Sequence, residues 1–343
     1  MAPSASDARS IVSASLSHLT RLVQRKGKFI YAHEAGDIDA VHDGYNLLRH
    51  CGTLWFMTRA AQLPGAASIP DLVPAMGRAA SYIGGKLQPA PWSPAEDPTL
   101  ALVSKGMVKL GGLGLALLAL GEAQKIPALQ PALAKALPLG PTATISRLRR
   151  YALDEIDGDD FRHKRDILTG DIHPFRSDYY TGEAIFGLLT TGPSTDALTH
   201  VITALMRRGY GWAEQSHWMA YAACEAIERD VIPEVLGAAY LTGLMQATLT
   251  NVAYRARRQS TPIGCRAEAL TRVLLLARAR PWLLQDTLVD KLRIHVAEDL
   301  TLLLDWYQDG QFWQGDTSRK VQIDYIQHNA TAFMQWADLG AGG

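Results

Sequence analysis

The chain has 343 residues, 48% of them hydrophobic, and its 34 basic and 34 acidic residues cancel. This length is enough to bury a large core, in one large domain or two small ones. The charge balance gives no general attraction to nucleic acid or to an anionic membrane, so neither is expected as a partner. We interpret the local basic cluster of Arg255, Arg257 and Arg258 as a solvated helix end rather than a phosphate site.

Three features predict a cytoplasmic protein. The first 30 residues lack the continuous apolar segment of a signal peptide, because Ser, His, Thr and Arg interrupt it. The most apolar run, residues 110–120, is too short and too rich in glycine to cross a bilayer. The three cysteines lie in apolar segments without metal-type spacing, which is typical of small core residues in a reducing compartment.

Apolar periodicity predicts six pairs of helices, in which an amphipathic outer helix precedes an inner helix that is apolar on nearly all sides. The pairs are 7–25 with 45–64, 71–84 with 103–123, 142–156 with 181–189, 194–208 with 217–228, 232–258 with 266–279, and 281–307 with 324–337. Glycines at 111, 112 and 114 weaken the second inner helix unless a neighbour packs closely there. Because no linker interrupts the pattern, we predict a single domain over residues 1–343, with an ordered core at about 7–337.

Four of the outer helices end in a turn that combines glycine with an aromatic residue. These turns contain Gly27 and Phe29, Gly158 and Phe161, Gly209 to Trp212, and Asp309 to Trp313. Glycine is interpreted as a left-handed helix cap, with the aromatic ring folded back on the hairpin. Repeats of this period indicate stacked supersecondary units.

These turns, the alternating helices and the polar clusters at the inner helix starts resemble the six-hairpin (α/α)6 toroid enzymes. That group consists mainly of glycoside hydrolases, polysaccharide lyases and sugar epimerases. The resemblance is architectural, extends over almost the whole chain, and implies an all-α ring around one central cavity. The Asp-Gly-x-Phe-Trp turn also resembles the repeats of terpene cyclases and prenyltransferases, but their Asp-rich signatures are not matched cleanly.

The first polar cluster begins the first inner helix. Tyr45 and Arg49 are four residues apart, as are Asn46 and His50, so both pairs are expected at the same end of the ring. Buried Arg and His side chains need partners. The cluster therefore either recognises a substrate or ties neighbouring helices together.

The third inner helix begins with a cluster that contains Tyr180 and Glu183, and the fourth begins with His217 and Trp218. Glu183 either interacts favourably with its helix N-terminus or, since the helix is already entering the core, has a partner or a perturbed pKa. Trp218 either forms the floor under a sugar ring or fills the core.

The fifth and sixth inner helices begin with two further clusters. Arg266 and Glu268 are two residues apart and point to different sides of their helix, where they bind substrate or form salt bridges. Asp324 and His328 lie one turn apart, and a carboxylate that orients an imidazole is a recurring catalytic pair as well as a helix-stabilising one.

We therefore expect an enzyme that hydrolyses, eliminates or epimerises an oligosaccharide or sugar acid without a cofactor. The catalytic candidates are Glu183 and Asp324 as acid and base, with His328 and Tyr45. The substrate-binding candidates are Asn46, Arg49, His50, Tyr180, His217, Trp218, Arg266, Glu268, Gln327 and Trp313. Arg49 or Arg266 is expected to hold a carboxylate.

Three alternatives remain open at this point. The first is a metal site formed by His50, His217 and His328, although no His-x-x-x-His spacing supports it. The second is a terpene-cyclase-like or peptide-modifying toroid with an apolar or metal-bearing cavity. The third is a non-catalytic scaffold, in which the polar clusters only join the hairpins.

Overall fold

The computed structural model describes residues 3–137 and 139–340, so residues 1, 2, 138 and 341–343 of the predicted domain lie outside the described part. Within that part, twelve long helices form six hairpins. The outer helices are Ala5–Leu22 (α1), Leu72–Gly84 (α3), Pro141–Asp154 (α6), Asp196–Arg207 (α8), Glu234–Thr250 (α10) and Asp286–Leu303 (α13). The inner helices are Leu47–Ala60 (α2), Leu110–Ala123 (α4), Tyr180–Thr191 (α7), His217–Glu228 (α9), Ser260–Ala279 (α12) and Ile323–Gly340 (α14). Two shorter helices, Gln130–Ala136 (α5) and Ala253–Ala256 (α11), lie in connections.

The six inner helices form a closed ring. Each one packs against the next in the order α2, α4, α7, α9, α12 and α14, and α14 returns to contact α2. Asn46, Tyr180, His217, Arg266 and Asp324, which lie at the start or within the first two turns of five of these helices, line the same cavity. The prediction that the inner helix starts meet at one end of a ring is therefore confirmed.

Close packing of α4 against α7 explains the glycines of α4. A Cβ atom at Gly114 would lie 2.7 Å from the backbone nitrogen of Ala184, and one at Gly111 would overlap the carboxyl group of Glu183. Nearly every residue of α4 is buried, as its uniformly apolar sequence predicts. The lost helix propensity is thus offset by contact between the two helices.

The fold is mainly α, as predicted, and short strands occupy the connections from outer to inner helices. One antiparallel sheet has five strands, in the order Asp37–Val41 (β2), Ala32–Glu34 (β1), Ser318–Gln322 (β11), Gln311–Gly315 (β10) and Tyr307–Gln308 (β9). A second has four, in the order Leu87–Pro89 (β3), Leu100–Ser104 (β4), Met107–Lys109 (β5) and Lys164–Asp166 (β8). Ile156–Asp157 (β6) and Asp160–Phe161 (β7) form a two-stranded hairpin.

These strands correct two details of the predicted hairpins. The second inner helix begins at Leu110 rather than Val103, because Lys105 and Gly106 both have positive φ and form a turn between β4 and β5. Gly158 and Gly310 have the predicted positive φ, but they form the turns of β-hairpins rather than helix caps. Apolar periodicity alone does not distinguish a short buried hairpin from the start of a buried helix.

Aromatic side chains from three inner helices fill the interior of the ring beside the cavity. Trp55 of α2 contacts Phe186 of α7 and both Trp218 and Tyr221 of α9, with ring centroids 5.6–5.8 Å apart. Trp218 belongs both to this cluster and to the cavity wall, so it is a core residue that also borders the cavity. In the part of the chain that the structure describes, no helix is both long and apolar enough to span a membrane.

Candidate active site

A cavity of about 490 Å³ lies at the end of the ring where the inner helices begin. Its walls come from the first two turns of five inner helices, together with Leu115 of α4 and the segments that precede the helices. It is lined by Asn46, Leu48, Arg49, Leu115, Ser177, Tyr179, Tyr180, Glu183, His217, Trp218, Arg257, Gln259, Thr261, Pro262, Cys265, Arg266, Gln314, Asp324, Tyr325, Gln327 and His328. This lining is polar and aromatic, which suits a hydroxylated ligand better than a hydrocarbon chain.

Two histidines from different helices meet in this cavity. His217 is the first residue of α9, which Ser216 caps by accepting a hydrogen bond from the backbone N–H of Met219. His328 lies one turn beyond Asp324 in α14, and the two imidazole rings meet edge to face with centroids 5.0 Å apart. The Nε2 atom of His217 is buried and has no hydrogen-bond partner within the described residues. Burial and the nearby charges of His328 and Arg266 hold the pKa of His217 well below its usual value.

A buried carboxylate holds the second histidine. Nδ1 of His328 lies 2.7 Å from Oε2 of Glu268, whose other oxygen accepts a hydrogen bond of 2.8 Å from the Tyr221 hydroxyl. Glu268 is fully buried. Burial would lower the pKa of His328, but the interactions with Cys265 and Glu268 outweigh it and raise that pKa well above the usual value. Because Nδ1 is bound to Glu268, Nε2 is the ring nitrogen available for chemistry.

Cys265 completes this group and was missed as a site residue by the sequence analysis. One ligand atom each of His217, Cys265 and His328 lie within 4.8 Å of one another, so these three residues could hold a metal ion. The predicted set containing His50 is not assembled, because Nδ1 of His50 contacts the Tyr45 hydroxyl (2.6 Å) and its Nε2 contacts the Ala79 carbonyl (3.0 Å). The three-histidine alternative is therefore wrong. The spacing of Cys265 and Glu268, three residues apart on one helix face, was the available signal.

Glu183 is a buried carboxyl group in the first turn of α7. Its Oε2 atom has no hydrogen-bond partner within the described residues. Burial raises the pKa of Glu183 to about 8, although the charge of His328 opposes this shift. Gly111 makes room for the carboxyl group, because a side chain there would occupy its position. Glu183 is therefore protonated at neutral pH.

Asp324 binds a different partner from the one that its spacing suggested. Its Oδ2 atom lies 3.0 Å from Nε of Arg49 in α2, and its Oδ1 atom accepts a hydrogen bond of 2.6 Å from Gln322. Arg49 also donates to the Tyr31 hydroxyl at 2.8 Å. Although Asp324 and His328 lie one turn apart, Asp324 pairs with a residue of α2 and His328 with a residue of α12, on different sides of α14. The carboxylate that orients His328 is Glu268.

The structure divides the remaining candidates into two groups. The cavity wall contains Asn46, Arg49, Tyr180, Glu183, His217, Trp218, Arg266, Asp324, Gln327 and His328. The candidates outside it are Tyr45, His50, Glu268 and Trp313. The Tyr45 hydroxyl contacts His50 and accepts a hydrogen bond from the backbone N–H of Phe29, so it belongs to a structural network. Trp313 lies in β10, where the Arg319 guanidinium packs over its ring at 4.6 Å.

The fold was compared with known proteins. No family model and no curated protein sequence matches the chain. Solved structures of other proteins are similar in fold. D-mannose isomerase superposes with a TM-score of 0.68 at 12% identity, with 97% of each chain covered. Cellobiose 2-epimerase from Spirochaeta thermophila DSM 6192 has a TM-score of 0.65 at 13% identity, with 96% of each chain covered. An unsaturated glucuronyl hydrolase specific for heparin is also similar (0.61, 14%, 97% of this chain and 98% of the other). The chain has the (α/α)6 toroid fold. At these identities the likeness establishes the fold alone, and the chemistry must come from the cavity.

Proposed function

We propose that this protein is a sugar isomerase or epimerase that uses His217 and His328 for proton transfer. The observation that carries the proposal is the meeting of the two imidazoles in one cavity. His328 is bound to buried Glu268, and Nε2 of His217 has no partner among the described residues. A base and an acid that face each other in one cavity are what proton removal next to a carbonyl requires. The similarity to D-mannose isomerase and cellobiose 2-epimerase in fold supports the same class of reaction.

In this mechanism an open-chain reducing sugar binds with its C1 carbonyl and C2 between the two rings. Nε2 of His217 removes the proton from C2, and the electron pair forms a C1–C2 double bond. Nε2 of the His328 imidazolium donates a proton to the carbonyl oxygen, which gives an enediol. When the proton returns to C1 and O2 is deprotonated, the aldose becomes a ketose. When O1 instead returns its proton to His328 and the enediol turns its opposite face to His217, the proton returns to C2 and the product is the epimer.

Glu183 and the Arg49–Asp324 pair complete the site. The protonated carboxyl group of Glu183 can donate a hydrogen bond to a sugar oxygen without adding negative charge to the cavity. Tyr180 and Trp218 offer aromatic faces for the apolar side of a sugar ring. A cytoplasmic location, predicted from the sequence, is part of this proposal.

Deuterium exchange tests the reaction directly. The protein is incubated in D₂O with D-mannose, D-glucose or cellobiose, and deuterium at C1 and C2 is followed by NMR. We expect exchange and product formation, with at least about 100-fold slower exchange in His217→Asn and His328→Asn. His200→Gln is the matched control, because His200 is exposed and its side chain has Asp159 as its polar partner in the described residues. Thermal unfolding shows whether each variant is folded. Absence of exchange with every sugar, or undiminished exchange in both folded variants, contradicts the proposal.

A second function is supported by Glu183. A protonated carboxyl group opposite a second carboxylate is the arrangement that glycoside hydrolysis uses, and Asp324 lines the same cavity. For this function, replacing Asp324 by Asn should abolish hydrolysis of oligosaccharides while the protein stays folded and binds ligand. If the variant melts far below the parent and activity per folded molecule is unchanged, Asp324 is structural. In an elimination reaction Tyr180 would be the proton donor, because Tyr45 lies outside the cavity.

A further inference from the structure

The charges of the cavity do not balance. Arg49 is paired with Asp324, and His328 is paired with Glu268. Glu183 is protonated at neutral pH because burial raises its pKa to about 8. The two other charged residues that line the cavity are Arg257 and Arg266. Neither is in a salt bridge within the part of the chain that the structure describes, which leaves two unneutralised guanidinium groups at the site.

Arg266 is held in place by neutral groups. Its guanidinium donates to the side-chain oxygen of Gln215 (3.0 Å) and to the backbone carbonyls of Pro262 and Glu214 (both 3.3 Å). It also packs over the Tyr254 ring at 5.1 Å. These contacts fix the position of the charge without neutralising it. A fixed cation in a cavity wall attracts an anion with little loss of side-chain entropy on binding.

Arg257 differs from the two arginines beside it. Arg255 binds Asp299 and Glu298, and Arg258 binds Asp305 and Asp316. Arg257 lies between them in sequence and lines the cavity. Its backbone N–H donates to the Tyr254 carbonyl, but its side chain makes no hydrogen bond or ion pair among the described residues. The interpretation of this cluster as a solvated helix end fits Arg257, which is exposed at the end of α11 and also borders the cavity. Arg255 and Arg258 instead form salt bridges.

The inner helices add to the positive potential. The cavity walls include the first turns of α7, α9, α12 and α14, and each helix N-terminus carries a partial positive charge. Asn46 caps α2 by accepting a hydrogen bond from Leu48, and it lies at the same end. These helix N-termini therefore add positive potential to that of the two arginines, although the chain as a whole carries no net charge.

We propose that the ligand of this cavity is a sugar that carries an oxyanion, a carboxylate or a phosphate, and that Arg257 and Arg266 bind that group. The sugar part of this assignment rests on the proposed function, and the oxyanion part rests on the two unpaired guanidinium groups. Bidentate hydrogen bonds from a guanidinium suit both kinds of oxyanion. The reducing end would face the two histidines while the charged group fixes the orientation of the chain.

Calorimetric binding at low ionic strength tests this assignment. The anionic sugar probes are D-glucuronate and D-glucose 6-phosphate, and the neutral sugar probe is D-glucose. Inorganic phosphate and acetate are added as simple anions whose binding does not depend on the stereochemistry of a sugar. We expect at least one anionic probe to bind more tightly than D-glucose, and its affinity to fall as salt is added. Comparison of the carboxylate probes with the phosphate probes identifies the kind of oxyanion. If no anionic probe binds more tightly than D-glucose, the proposal is wrong.

A pair of adjacent substitutions gives the matched control. Arg257→Gln should weaken binding of the anionic probe by about 10- to 100-fold and leave D-glucose binding unchanged. Arg258→Gln removes the same charge one residue away but from a side chain outside the cavity wall, and it should leave binding nearly unchanged. Equal affinity of wild type and Arg257→Gln for every anionic probe overturns the assignment.

The result is separable from the proposed reaction, because binding is measured without turnover. Anion binding that depends on Arg257, together with no deuterium exchange for any sugar, would retain this inference and reject the isomerase. Exchange with neutral sugars, together with no preference for anions, would retain the isomerase and reject this inference.

Discussion

At the scale of single residues, burial rather than residue type sets the chemistry of the cavity. Glu183 of α7 and Glu268 of α12 are both buried glutamates on inner helices. Glu268 has an imidazole and a hydroxyl as partners, whereas one oxygen of Glu183 has no partner in the described residues. The first is therefore suited to orienting His328, and the second to donating a proton.

Glu183→Gln should remove a pH-dependent loss of stability. The folded-state pKa of Glu183, about 8, lies above its ordinary value of 4.5. As the pH rises between these values, the unfolded chain releases the proton but the folded chain retains it, so the free energy of unfolding falls. The variant should match wild type near pH 5 and be more stable near pH 9, by a few kcal/mol at most. Urea unfolding at both pH values measures this difference.

Glu96→Gln is the control for that experiment, because Glu96 is exposed. It should follow wild type at every pH. If Glu183→Gln is less stable than wild type at high pH, the carboxylate has a stabilising partner in solution, and the argument for a protonated Glu183 is wrong.

Glu268→Gln should change the pH profile of the reaction through His328. Glu268 is one of the groups that raise the pKa of His328, so the substitution lowers that pKa. His328 is then deprotonated at a lower pH, and the alkaline limit of activity should move down by about 1–3 pH units. The rate as a function of pH measures this shift. A uniform loss of rate with an unchanged profile would show that Glu268 acts only on packing.

At the scale of elements, the contact between α4 and α7 positions Glu183. The closest approach of the two backbones involves Gly114 on one helix and Gly187 and Glu183 on the other. A side chain at Gly114 would push α7 outward and move Glu183 in the cavity wall. The glycines of α4 are thus part of how the site is built.

Gly114→Ala should destabilise the protein by about 1–3 kcal/mol, because the added methyl group meets backbone atoms that cannot rotate away. Gly112→Ala is the matched control on the same helix. Its Cβ would contact mainly the flexible Leu48 and Leu102 side chains, the nearest atom at 3.2 Å, and it gains helix propensity, so its stability should change little. Chemical unfolding of both variants measures the difference. Equal stability would contradict the close packing.

At the scale of the whole molecule, the first and last hairpins close the ring. Helix α14 packs against both α1 and α2, Ala32 of β1 pairs with Gln322 of β11, and Arg49 binds Asp324. The residues that complete the cavity therefore depend on contacts between the two ends of the chain. A structure closed in this way has no hairpin that can be removed without exposing two apolar faces.

We predict that the chain unfolds as one domain. Heating or denaturant should give a single transition, coincident by tryptophan fluorescence and by far-ultraviolet circular dichroism. The reason is that each inner helix is covered on both sides by neighbours in the ring. Two separated transitions would show that part of the ring folds on its own, and would contradict the predicted single domain.

The fold could be predicted largely from the sequence because its signal is local and repeated. Each inner helix carries an apolar pattern such as that of residues 110–120, and each is preceded by a turn with glycine or polar residues. The helix pairs, their order and the common end of the inner helices all follow from that repeat. The β-hairpins were missed because runs of three to five residues, such as Leu100–Ser104, give too short a pattern to separate strand from helix.

The pairing of charged groups was decided only by the tertiary structure. On one helix Asp324 and His328 have the spacing of a pair, yet Arg49 from α2 and Glu268 from α12 are their partners. In the same way Arg257 shares a basic cluster with two neighbours but alone borders the cavity. Sequence determines which residues lie on a helix face, because that spacing is set within one element. The partner of each buried charged group depends on contacts between elements that are far apart in the chain. Those contacts exist only once the ring has closed.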